Sequence, residues 1–356
     1  MKATRKCNLR CTYCHAWRAT GAPISFETMA AATWDTLAAP NVRQVDFVWH
    51  GGEVTLLDPE YFEKAITLQR VFKRSSQHVT NSLQTNATLI TDAGCALWRK
   101  FEFSVGVSID GLPHVHDTKR IDRRGAGAWD RVIAGLAMLR EQKISHGALT
   151  VLCEATIAAD PRVFLGHIAA LGVDGVALLN AVPQTSGELT AQDEWLHFER
   201  FTEYLVALYA AWDRNYRHLF GIREFISLEN NLTRPRPIIC VHAARCVGQF
   251  LTVEPDGDVS PCEKFVGDPR FRFGNLHEHT CAEVLRASQN FETLRQEEAV
   301  LKGAMQTCTH AAICSGGYVH DALIKHLCEG EDQSACCGLA PLIETIAARY
   351  GGKNGA

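Results

Sequence analysis

No apolar run in the sequence approaches the roughly 18 residues that a bilayer span needs, and the opening MKATRKCNLR lacks the apolar core of a signal peptide. A membrane-spanning or exported protein is therefore not expected, and the location read from the sequence is cytoplasmic. Long blocks of one charge are missing as well. With 36 Lys and Arg against 40 Asp and Glu, the formal net charge is -4. That leaves no electrostatic footprint for nucleic acid or anionic lipid, so neither a nucleic-acid nor a membrane partner is expected. Internal repeats and low-complexity tracts are absent, and the composition, 46% hydrophobic and 21% charged, excludes disorder and collagen-like structure. The 356 residues suffice for roughly two domains of about 150 residues each.

Cysteine is what the sequence has in quantity. Fourteen are too dilute for a small disulfide scaffold, and in a reducing compartment clustered thiols read as metal ligands or catalytic groups. Cys7, Cys11 and Cys14 stand near the start, whereas Cys95 and Cys153 are isolated and read as small core residues. The last third holds Cys240, Cys246, Cys262, Cys281, Cys308, Cys314, Cys328, Cys336 and Cys337.

From Phe26 to about residue 220, strand-like and helix-like runs alternate, the mark of repeated beta-alpha units. Strands are expected at 44–49, 78–85, 103–109, 148–152 and 175–179, with the residues before Cys7 as a clipped first strand. Helices are expected at 26–37, 59–72, 92–100, 128–142 and 161–171, then a long one from 193 to about 217. Six strands predict an α/β fold built as a partial (β/α)6 TIM-like barrel with a wide lateral mouth. TRPRP, residues 233–237, separates a barrel domain, 1–232, from a small cysteine-rich C-terminal domain, 233–356. In the latter, FLTVEPDGDVSPC predicts a hairpin turning at Asp256-Gly257, and a helix over about 339–349 closes the chain. The short lead before Cys7 suggests that the given start omits part of the first strand, and no separate N-terminal leader-binding domain is expected.

CNLRCTYCHAW places three thiols in one short loop between a strand and a helix. Structural zinc sites close with four ligands, and only the adjacent His15 offers itself as a fourth. An iron-sulfur cubane held by three Cys keeps one iron open. The CxxxCxxC spacing, with aromatic Tyr13 before the third Cys, resembles the radical S-adenosylmethionine (SAM) superfamily. HGGEVTLL looks like that family's GGEP segment with Val54 in place of Pro. There Gly51 and Gly52 would let backbone approach the cofactor, and Glu53 would accept the methionyl ammonium. QTNATLI, with Gln84, Thr85 and Asn86, and SIDG, with Ser108 and Asp110, follow at successive strand ends, the rim where barrel enzymes place their chemistry. Each alone would pass as a strand cap or turn former. HDTKRIDRRGAGAWDRV resembles a stretch of the peptide-modifying branch in which a Ser near the strand and an Arg after HD contact SAM. That carries Ser108 and Arg120 over as SAM contacts, with Arg123 or Arg124 able to take the Arg role and a solvated charge run as the bland alternative. The resemblance implies a [4Fe-4S] cluster on Cys7, Cys11 and Cys14, SAM as cofactor, and a 5'-deoxyadenosyl radical that removes hydrogen from carbon.

Cys246, Gly257 and Cys262 fit C-x9-15-G-x4-C, which resembles the opening of the SPASM domain of anaerobic sulfatase maturases and ribosomal-peptide maturases. Its usual continuation, CxxCxxxxxCxxxC, is only half present. In MQTCTHAAICSGGY, Cys308 and Cys314 fit, but Met305 and Tyr318 stand at the first and last Cys. The resemblance implies a first auxiliary cluster on Cys240, Cys246 and Cys262 with Tyr318 at the fourth place. It implies a second on Cys308, Cys314 and Cys336, with Cys328 or Cys337 as substitutes for Cys336. One or two auxiliary iron-sulfur clusters are thus expected. Glu263, after Cys262, stands where sulfatase maturases carry a proton-accepting Asp, and it is the candidate catalytic base; a solvated Glu is the bland reading.

These features predict an enzyme that oxidises or cross-links side chains of a ribosomally made peptide, using a flavodoxin or ferredoxin as reductant. The competing readings are a formylglycine-forming sulfatase maturase, a small-molecule radical dehydrogenase and a non-catalytic metal-binding module.

Overall fold

A computed structural model describes residues 1–14, 21–183, 194–234, 239–243, 245–330 and 337–351. Its main sheet has seven strands in the order β1 (Lys2–Thr4), β2 (Gln44–Gly51), β3 (His78–Thr85), β4 (Ser104–Ser108), β5 (His146–Leu152), β6 (Gly175–Asn180) and β7 (Gly221–Ile222). The pairs β1/β2, β2/β3, β3/β4 and β6/β7 are parallel, and strand order follows chain order, as in a partial beta-alpha barrel. Six of the strands coincide with those the alternation predicts. The seventh corrects the six-strand expectation: at two residues, β7 is too short to carry any periodicity.

Local chemistry explains most boundaries. Ser25, Asp58, Thr91 and Asp160 cap their helices by accepting N–H bonds from Thr28, Glu60, Gly94 and Arg162, and Pro59 and Pro161 sit in the first turn where no donor is needed. Gly172 ends its helix with φ 66°. Along β2, exposed and buried residues alternate, so Val45, Phe47 and Trp49 face the core. Trp49 meets Phe62 edge-on at 5.8 Å, and Phe62 meets Phe103 at 6.2 Å. The helix expected at 193–217 is described from Phe198 to Asn215. Helices Pro113–Lys119 and Arg223–Thr233 are additions to the sequence reading.

The chain forms two compact units, one of residues 1–109, 116–148 and 251–291, the other of residues 110–115, 149–250 and 292–356. The first holds β1 to β4 and the expected hairpin: β8 (Thr252–Val253) and β9 (Asp258–Ser260) pair antiparallel around Gly257, whose φ of +86° the turn requires, and β10 (Gly274–Asn275) adds to β9. In the second, the terminal helix Ala340–Gly351 packs on Phe198–Asn215. Arg349 bonds there to Asp213 at 2.8 Å and to Glu229 at 3.2 Å. Among the described residues no helix is long and apolar enough to cross a membrane.

Candidate active site

The loop after β1 carries Cys7, Cys11 and Cys14, and it is held by backbone bonds to residues 119–121 and within itself. Arg10 N–H donates to Ile121 O at 2.6 Å, Thr12 N–H to Lys119 O at 2.9 Å and Cys14 N–H to Cys11 O at 3.2 Å. From the end of β3, Asn86 Nδ2 reaches Asn8 Oδ1 at 2.9 Å and Cys7 Sγ at 3.9 Å, and Leu9 N–H donates to Cys7 Sγ at 3.4 Å. Burial is the main cause that pushes the Cys7 thiol up to about 11, and the Glu53 carboxylate adds to it.

Glu53, 1% exposed, joins the same assembly. Its Oε1 accepts from Thr55 N–H at 3.0 Å, Thr55 Oγ1 at 2.7 Å and Thr85 Oγ1 at 2.6 Å, and its Oε2 accepts from Asn86 N–H at 2.7 Å. Burial nevertheless holds this carboxyl above its ordinary range, because the four bonds only partly offset the loss of water. The side chain expected to wait for an ammonium group is thus first a buttress between the ends of β2 and β3, and any further donor would share Oε2.

The two glycines before it have a steric task. A Cβ on Gly51, where φ is +136°, would lie 2.2 Å from Thr4 O, and one on Gly52 would lie 2.1 Å from Lys6 O. Their smallness lets Gly52 N–H reach Thr4 O at 2.6 Å and Glu53 N–H reach Lys6 O at 2.8 Å. Gly52→Ala must therefore displace the backbone just before Cys7. We expect a loss of about 1–3 kcal/mol in unfolding free energy and reduced iron uptake by the loop, checked by denaturant unfolding and iron quantification.

Other residues singled out from the sequence fall into contacting couples. Gln84 Nε2 donates to Ser108 Oγ at 2.8 Å across β3 and β4, and the Arg120 guanidinium lies 5.4 Å from the centre of the Tyr13 ring. Arg120 is buried, whereas Arg123 and Arg124 are exposed, which separates the three candidates for one role. His15 lies outside the described residues.

Glu263, in the same unit and next to Cys262, is half-exposed and bonded at both oxygens: Lys2 Nζ is 3.2 Å from Oε1 and His50 Nδ1 is 3.4 Å from Oε2. Sequence reading missed both partners, although His50 is the first letter of HGGEVTLL. Burial pulls the His50 imidazole down to about 4, against the pull of Glu263, so it is neutral at neutral pH. For Lys2, burial is outweighed by Glu263 and Glu254, and the ammonium rises above its ordinary range. Glu254 also pairs with Arg5.

In the second unit, Cys240 opens a short turn and Cys246 is buried, its N–H donating to Glu298 Oε1 at 2.8 Å. Cys314 ends helix Ala311–Cys314 with its Sγ 3.4 Å from Cys337 Sγ, and that contact pulls the Cys314 thiol down to about 6. Lys302 Nζ, whose charge acts on Cys246, Cys314 and Cys337, bonds to Ala243 O at 3.3 Å. Cys308 is half-buried. Met305 is buried, and a Cβ on Gly316 would lie 2.4 Å from its Cγ; a packed thioether, it supplies no thiolate. Tyr318 is buried too, stacked on His320 at 6.0 Å. Cys336 lies outside the described residues.

Among the described residues no three His, Cys, Asp or Glu side chains converge as they would on a single metal ion. Three thiols on one loop suit a cubane, whose irons each take their own sulfur. The cysteine-rich C-terminal region carries Met305 and Tyr318 at two places where the pattern it resembles has Cys.

Residues 1–157 match the radical SAM superfamily and residues 240–314 match an iron-sulfur cluster-binding domain, SPASM. A serine-type anaerobic sulfatase-maturating enzyme of Klebsiella aerogenes is 28% identical over 94% of this chain and 83% of its own length. A cysteine-type enzyme of Clostridium perfringens is 26% identical over 88% and 86%. Among solved structures, native anSMEcpe with bound AdoMet superimposes with a TM-score of 0.81 at 23% identity, covering 100% of this chain and 98% of the other. Streptococcus suis SuiB bound to S-adenosylmethionine gives 0.63 at 15% identity, covering 90% and 72%; both likenesses speak to the fold. The chain belongs to the radical SAM superfamily, carries a SPASM iron-sulfur domain, and is similar to anaerobic sulfatase-maturating enzymes along nearly its whole length.

Proposed function

We propose that this chain is a peptide-modifying radical SAM enzyme that oxidises or cross-links a side chain of a ribosomally made peptide. The observation that carries the reading is the three-thiol loop held against Asn86 and the buried Glu53 at the ends of β2 and β3. Cys7, Cys11 and Cys14 would hold the cluster, and Tyr13, Gly51, Gly52, Glu53, Gln84, Asn86, Ser108 and Arg120 would line the SAM site. Bound there, cluster and SAM supply a 5'-deoxyadenosyl radical able to take hydrogen from an unactivated carbon. The protein's own work is positioning and the exclusion of water.

A side chain that has lost a hydrogen atom reaches a closed shell by giving up one proton and one electron, either directly or after bonding to an aromatic ring or heteroatom whose hydrogen leaves as that proton, and an auxiliary cluster would take the electron. Glu263, steadied by Lys2 and His50, is the residue for the proton. Cys240, Cys246 and Cys262 would hold one auxiliary cluster, and Cys308, Cys314 and Cys336 a second, with Cys337 already beside Cys314. The division into residues 1–232 and 233–356, a cytoplasmic location and a flavodoxin or ferredoxin reductant belong to the same reading.

The relatives named as sulfatase maturases favour formylglycine formation as a second reading. Against it stand Met305, Tyr318 and the longer carboxylate of Glu263. Incubating the anaerobically loaded enzyme, SAM and reductant with a genomically adjacent precursor peptide, and separately with a sulfatase-type peptide bearing Ser or Cys, decides between them. We expect mass spectrometry to find a lost hydrogen pair in the precursor. A hydrazide-trapped aldehyde in the sulfatase peptide alone would establish the second reading instead.

A further inference from the structure

Against the start of the thiol loop lies a cavity of about 500 Å³ whose wall includes Cys7, Asn8 and Leu56 together with Lys6, Arg123, Arg124, Arg131 and Asp122. Of the described residues proposed to hold the cluster or SAM, Cys7 alone lines it. Its charge is unlike that of the chain. Four cations face one carboxylate here, in a protein whose formal net charge is -4. That carboxylate is committed: Asp122 Oδ1 accepts N–H bonds from Arg124 at 2.8 Å and Ala126 at 3.1 Å, and Oδ2 lies 3.3 Å from Arg131 Nη2. Lys6, Arg123, Arg124 and Arg131 are all exposed.

The arginines are also fixed to the cluster loop. Residues 121–127 fold back on themselves, with Asp122 N–H bonded to Ala126 O at 2.8 Å and a bridge between Ile121 and Gly127. A second bridge joins Asp122 to Leu9, and Arg10 N–H is bonded to Ile121 O. A turn whose tip is Arg123-Arg124 is thus stitched, backbone to backbone, to the loop that carries Cys7.

We propose that this basic cavity is the docking surface for an acidic, low-potential electron-carrier protein. The inference rests on the radical SAM reading, in which each turnover begins with one electron reaching the cluster from outside. In that transfer the carrier is oxidised by one electron, the cluster is reduced by one, and no bond is made or broken. A surface that reaches a cluster ligand and carries a local positive field both steers an acidic carrier and brings its redox centre near the loop. The four cations draw on long-range attraction, so binding weakens as salt shortens the Debye length from about 30 Å at 0.01 M to about 8 Å at 0.15 M.

The test uses anaerobically loaded, full-length enzyme and an acidic flavodoxin. Titration calorimetry measures flavodoxin binding, and 5'-deoxyadenosine formation is measured with dithionite and with reduced flavodoxin. We expect the double variant Arg123→Glu/Arg124→Glu to weaken flavodoxin binding at least about tenfold at low salt and to lower flavodoxin-driven cleavage, while dithionite-driven cleavage is retained. Arg123→Lys/Arg124→Lys should keep most of the binding. Unchanged flavodoxin affinity in the charge-reversed variant overturns the proposal, as does binding of wild type that ignores salt. Equal loss of dithionite-driven cleavage also overturns it, by placing these arginines in SAM binding or folding. Displacement of flavodoxin by an acidic precursor peptide that binds with equal dependence on the arginines would reassign the cavity to substrate. If wild type cleaves no SAM with either reductant, the radical SAM reading itself fails, a result separate from the binding arms.

Discussion

Cys11→Ala will abolish reductive SAM cleavage. Even outer partners of a metal site cost about 10–100-fold when removed, and Cys11 is one of just three thiols available to the loop, so the loss should exceed a hundredfold. Cys11 is buried between Cys7, touched by Asn86, and Cys14, whose N–H bonds back to Cys11 O. Its alanine variant keeps those backbone bonds, so the loop should hold its path while losing its capacity for iron. Iron and sulfide quantification should show the loss of the N-terminal share alone, with the SPASM share kept. The contrast is Cys95→Ala. Cys95 is fully buried in helix Asp92–Lys100, and its removal should cost about 1 kcal/mol of packing and leave SAM cleavage intact. Undiminished 5'-deoxyadenosine formation by the Cys11 variant would refute the cluster assignment.

What could be read from the sequence, and what could not, divides by distance along the chain. The CxxxCxxC loop, the strands with clear alternation and the Asp256-Gly257 turn announce themselves because their causes are local. Nothing local announces that Glu53 will be met by Thr85 and Asn86, or that Lys2 and His50 will meet at Glu263. Motif resemblance supplied the residue types for the first case and was silent on the second. The basic cavity was illegible for the same reason. Lys6 stands more than a hundred residues before Arg123, and an overall charge balance near neutrality hides a local excess. The short helix Pro113–Lys119 went unseen because its residues were read as a binding motif, and β7 because two residues carry no pattern. In the second unit the sequence showed which ligands were replaced but not how. Met305 fills a space against Gly316, and Cys337 comes to Cys314, both consequences of packing rather than spacing.

Glu263→Gln should separate product formation from SAM cleavage. General-base assistance contributes about 10²–10⁴-fold, and glutamine keeps the side chain's length and shape while losing the ability to hold a proton. The variant should therefore cleave SAM at a rate near wild type yet form the oxidised peptide about a hundredfold or more slowly. The fold should tolerate the change. Lys2, the charged partner, still has Glu254 at 3.2 Å, so its buried ammonium is not left alone, and His50 is neutral and can turn its N–H to the amide oxygen. Glu263→Asp supplies the geometric control. It retains the carboxylate one methylene shorter, so it should lose contact with Lys2 or His50 and recover only part of the rate. Deuterium at the abstracted position, followed by mass spectrometry of 5'-deoxyadenosine and peptide, reads the two stages apart. Label arriving in 5'-deoxyadenosine without oxidised peptide is the signature of a missing base. Normal product from the Gln variant would leave Glu263 as an ion-pair partner of Lys2 and assign the proton to another group.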